Sequence, residues 1–62
     1  MEKHYYMNVT NVDQAVSVLK AMEIDAQPMG SSIQFKIDES LKTKMILQLN
    51  KEKVIIYDMD EI

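Results

Sequence analysis

Residues 43–59 constrain this chain more than any other stretch. They read T-K-M-I-L-Q-L, then N-K-E-K, then V-I-I-Y-D-M. Two runs rich in aliphatic, β-branched and aromatic residues flank a short polar segment, the pattern of two strands joined by a tight turn. With Lys51 and Glu52 at the tip, antiparallel pairing sets Leu49 opposite Val54, Leu47 opposite Ile56 and Met45 opposite Asp58 on one face. Ile46 opposite Tyr57, Gln48 opposite Ile55 and Lys44 opposite Met59 form the other face. The same register predicts an ion pair between Lys42 and Glu61. A helix over residues 39–49 is the competing reading, since Leu41, Met45, Ile46 and Leu49 also fit a 3.6-residue spacing. The strand is preferred because V-I-I-Y needs a pairing partner and N-K-E-K suits a turn.

This hairpin is apolar on both sides. Met45, Leu47, Leu49, Val54 and Ile56 are expected to face the core. A sheet with one wet side shows polar residues on the other, yet Ile46, Ile55, Tyr57 and Met59 gather there. Contiguous apolar patches on soluble proteins mark contacts, so these four residues are the predicted partner interface.

The rest of the chain supplies the layers around the hairpin. Residues 4–9 (H-Y-Y-M-N-V) read as a strand with Tyr5, Met7 and Val9 on one face. Residues 11–23 carry the convincing helix. Val12, Ala15, Val16, Leu19 and Met22 form its apolar stripe; Thr10 or Asn11 offers its N-cap, and Asn11 with Gln14 resembles a capping box. The opening V-D-Q-A-V-S-V-L-K-A-M-E-I-D is similar to that of many small ferredoxin-like or ligand-sensing modules, a likeness that carries no function of its own. Residues 24–27 are a short candidate strand, and Pro28, which lacks an amide donor, puts this piece at a sheet edge or in a loop. Gly30 supplies a turn with positive φ. Residues 31–38 alternate, with Ile33, Phe35 and Ile37 pointing inward. The acidic tail, residues 58–62, is expected to fray. The order is β-α-(β)-β-β-β. It predicts a single α+β domain over residues 1–62, with one antiparallel sheet of four or five strands and one amphipathic helix on one face.

Composition narrows the function. A chain of 62 residues without cysteine buries a small core, has no disulfide and cannot build a thiolate zinc site. Oligomerisation is the usual remaining support. The net charge is −3, and all seven basic residues are lysine. Arginine is the side chain best suited to bidentate phosphate and guanine contacts, so nucleic acid is an unlikely partner. No apolar run approaches a membrane span, and residues 1–4 lack a signal-peptide pattern. The expected location is the cytoplasm.

No catalytic constellation is visible. His4 has no oriented partner in the sequence. Ser31 and Ser32 fit neither a nucleophile elbow nor a phosphate loop. Asp58, Asp60 and Glu61 lack calcium-loop spacing. The expectation is a non-enzymatic protein without cofactor or metal that binds other proteins, as a homodimer through the sheet, in a regulatory or inhibitory role of bacterial or phage type. A nucleic-acid regulator using the lysines between Lys36 and Lys53 is the first alternative, and a small-molecule sensing module the second.

Overall fold

The computed structural model describes residues 1–62. Its elements run β1 (Glu2–Val9), α1 (Val12–Ala21), β2 (Asp25–Met29), β3 (Ser32–Asp38), a 3-10 turn (Glu39–Leu41), α2 (Lys42–Lys51) and β4 (Ile56–Glu61). The strands form one four-stranded sheet in the order β2-β3-β1-β4. Each neighbouring pair is antiparallel. The expected α+β architecture with one antiparallel sheet is therefore what the chain adopts. Its element order, β-α-β-β-α-β, is the split β-α-β or ferredoxin-like order.

The predicted hairpin is the point of departure. Residues 42–51 are helical, so the chain has two helices where one was expected. Met45 and Leu49 are buried one helical turn apart, and half-buried Ile46 packs beside them. Leu47, expected in the core, is 64% exposed on the opposite side. A strand would have buried Leu47 together with Met45 and Leu49. V-I-I-Y does find a partner, but that partner is β1, far away in the chain. N-K-E-K is a helix exit and not a hairpin turn. The tail does not fray either, since Glu61 pairs with Tyr5. The predicted Lys42–Glu61 ion pair is replaced by two other contacts. Lys3 takes Glu61, with Nζ and Oε1 3.9 Å apart, while the Lys42 ammonium lies 4.7 Å from the Tyr5 ring centroid.

Elsewhere the local signals are obeyed. The Asn11 side chain caps α1, its Oδ1 accepting the Gln14 amide at 3.1 Å. Gln14 does not complete the capping box; its Nε2 donates to Glu52 Oε1 at 2.9 Å and ties α1 to the end of α2. Gly30 turns the β2–β3 hairpin with φ of +65°. Every buried residue is apolar or aromatic, and the core runs from Met7, Ile33 and Phe35 in the sheet to Leu19, Met45 and Leu49 in the helices. Tyr5 and Phe35 stack across β1 and β3 with centroids 5.7 Å apart. Burying each such side chain contributes about 1.5–3 kcal/mol. Both helices cover the same side of the sheet, and the other side is open.

Candidate interaction surface

β4 ends the sheet and has only β1 beside it. Its entrance is clamped to the residue after β1. The Ile55 carbonyl accepts the Thr10 amide at 3.0 Å, and the Ile55 amide donates to Thr10 Oγ1 at 3.1 Å. A bulge follows. Asn8 faces Asp58 and Val9 faces Ile56, which leaves Tyr57 as an extra residue. Edge bulges re-aim a side chain, and Tyr57 is 70% exposed.

At the far end the Ile62 amide donates to the His4 carbonyl at 2.9 Å. Bonding direction alternates along an antiparallel strand. The amides of Asp60 and Asp58 therefore turn toward β1, and those of Met59 and Glu61 turn toward the free edge. The outward Glu61 amide is met by Asp60 Oδ1 at 2.9 Å. No strand lies beyond Met59. The side chains of Asp58 and Asp60 stand on the open side, in register with Asn8 and Tyr6. Met59 lies opposite Met7 on the helix side and packs against the core.

The four predicted interface residues do not share one sheet face, because the hairpin that would have aligned them is absent. Ile55 and Tyr57 are exposed at the entrance of β4, at 59% and 70%. Ile46, on α2, and Met59 are half-buried against the core. Leu47 belongs with the exposed apolar residues. Its signal was its place in the helical alternative, opposite the stripe of Met45 and Leu49.

The open side of the sheet is polar. His4, Lys36 and Asp25 form one cross-strand row, and Tyr6, Gln34 and Gln27 the next. Ser32 Oγ donates to Asn8 Oδ1. Of the lysines in the second half, only Lys36 is on this sheet; Lys42, Lys44 and Lys51 belong to α2, and Lys53 follows it. No group of three or more His, Cys, Asp or Glu side chains stands where it could hold a metal ion. No helix is long and apolar enough to cross a membrane.

Two charged groups are shifted at the end of the sheet near Glu2. Asp38 accepts the Ser40 amide at 3.0 Å and the Met1 ammonium at 3.1 Å. The Ser40 hydrogen bonds and the ammonium hold its carboxyl down at about 2. Glu39 and then Glu61 raise the pKa of Lys3, whose Nζ lies 3.6 Å and 3.9 Å from them.

Compared with known proteins, the chain matches no family model, no curated protein and no solved structure. What the fold and the surface define together is a small two-layer α+β module with two unpaired sheet edges, β2 with its proline and β4 with its cluster of acids.

Proposed function

We propose that this chain is a small non-enzymatic binding protein, regulatory or inhibitory in role, that acts by protein–protein contact along β4. The observation that carries the reading is an edge strand without a neighbour, with Ile55 and Tyr57 exposed at its entrance. An aromatic beside an aliphatic residue is the anchor that interface centres use, and free strand edges accept added strands. Lysine without arginine fits an AT-rich coding sequence, and a chain without cysteine suits a reducing compartment. On those grounds we place it among the cytoplasmic accessory proteins of low-GC bacteria or their phages.

Self-association is the second reading, favoured by one register. Symmetric pairing of β4 with its copy, centred on Tyr57, sets Tyr57 against its counterpart and Ile55 against Met59 of the copy.

The test uses the whole chain and two variants, Ile55→Asp and Tyr57→Asp, each first shown to keep the wild-type circular dichroism. Affinity capture from the native host and light scattering over a dilution series are run in parallel. The expected result is a discrete partner chain, or a second copy, that both variants lose and that Lys20→Ala on α1 retains. Association unchanged by both aspartates would overturn the assignment to β4.

A further inference from the structure

We propose that the free edge of β4 receives an extended segment of another protein, with lysine or arginine opposite Asp58 and Asp60 and an apolar residue between them opposite Met59. The inference rests on the binding function assigned to β4 above and names the chemistry of the partner.

The two edges of this sheet are protected differently. β2 carries Pro28, which removes an amide from that edge. β4 has no proline and is guarded by exposed Asp58, Asp60 and Glu61 instead. Charge guards an edge selectively. It repels a strand of like charge and attracts one of opposite charge.

Like charge is what a second copy brings. A symmetric antiparallel pair must be centred on one residue. Centred on Asp58 or on Asp60, that carboxylate faces itself. Centred on Met59, Asp58 faces Asp60 twice. Only centring on Ile56 or Tyr57 avoids a direct carboxylate pair, and both centres lie at the bulge that distorts the strand.

A basic strand meets none of this. Met59, whose amide and carbonyl point outward, would exchange both hydrogen bonds with the incoming backbone. Asp58 and Asp60 would then occupy the adjacent non-bonded positions, where opposed side chains come closest. Their side chains share the open side of the sheet, so the complementary residues lie two apart in the incoming segment. The residue between them points to the helix side, beside Met59 and the core. The recognised pattern is basic, apolar, basic in an extended conformation, the arrangement of strand addition with side-chain selection.

The test uses the full chain, isotope-labelled, and three capped synthetic peptides. One alternates valine with lysine, one alternates valine with glutamate, and the third is the lysine peptide N-methylated at its valines. The lysine peptide is expected to move the Met59 and Glu61 amide resonances. It should bind at least about tenfold more tightly than the glutamate peptide, since two favourable cross-strand pairs become two repulsive ones, and more tightly than the N-methylated peptide, which cannot donate to the Met59 carbonyl. A chain carrying Asp58→Lys and Asp60→Lys is expected to reverse the preference toward the glutamate peptide. Four results would overturn the proposal: no β4 amide responds; the N-methylated peptide binds equally, which is charge attraction without strand addition; the preference ignores the charge at 58 and 60; or the edge is held by a second copy, seen as a doubled mass with the same amides shifting on dilution. If the lysine peptide fails while Ile55→Asp and Tyr57→Asp still abolish capture of a partner, only the basic-strand chemistry falls. If both fail, the binding function falls with it.

Discussion

Asp38 closes β3 and opens the turn into α2. Its carboxylate caps Ser40 through both the amide and the hydroxyl, each at 3.0 Å. These bonds, together with the Met1 ammonium, favour the ionised form and hold the carboxyl down at about 2 in the folded chain. The unfolded carboxyl titrates near its ordinary value, about 3.9. Because the folded value is the lower one, the stabilisation is complete above about 4 and disappears as the pH falls toward about 2. Thermal melts of wild type and Asp38→Asn should therefore differ most at neutral pH and converge between about pH 4 and pH 2. A constant difference across that window would show that the carboxylate form is not what matters. The site is solvent-exposed, so the effect is a shift in the acid limb and not a determinant of the fold.

At the scale of elements, α1 announced itself and α2 did not. α1 begins with a true cap, Asn11 on Gln14. α2 begins at Leu41, which makes no side-chain cap, and is entered through a 3-10 turn that Asp38 caps one step earlier. Both helices stop the same way. The Ile24 amide reaches the Leu19 carbonyl and the Val54 amide the Leu49 carbonyl, each at 2.9 Å. The residue before each of these donors is left-handed: Glu23 at φ 61° and Lys53 at φ 62°. Glycine is the usual sign of such a stop, and neither position has it. A helix with neither start nor stop signal, rich in Ile, Leu and Met, looks like a strand when read locally. The pairing that decides the matter, β4 with β1, spans nearly the whole chain. The same long-range fact hid the free edge. Ile55 and Tyr57 were legible as surplus apolar surface, whereas Ile46 and Met59 were absorbed once a second helix covered the sheet. Lys44, exposed on α2, tests this assignment. Lys44→Ala should be more stable than Lys44→Val by roughly 0.5 kcal/mol in urea denaturation, because alanine is the better helix former. The opposite order would mark residues 42–51 as strand.

At the scale of the whole molecule, stability is small enough that one core side chain is a large part of it. At about 0.05–0.15 kcal/mol per residue, a chain of this length holds roughly 3–9 kcal/mol. Phe35 is 1% exposed and stacked on Tyr5. Truncating such a side chain to alanine costs roughly 3–5 kcal/mol. Phe35→Ala should lose at least roughly a third of that margin and melt well below wild type, as read by circular dichroism. A variant that melts near the wild-type midpoint would mean the core lies elsewhere. Binding at β4 would add to this margin, since any ligand of the folded state alone raises its stability.

Pro28 withholds an amide from the β2 edge and β4 keeps all of its own, so the strand addition proposed above would favour one end of the sheet. In the language of polymerisation such a molecule would be monofunctional. With strand addition at β4 as proposed, it would join one other strand there and then stop. A unit of this kind acts as a terminator: set against a partner that propagates strand by strand, it would cap the growing edge and leave nothing for the next strand to join.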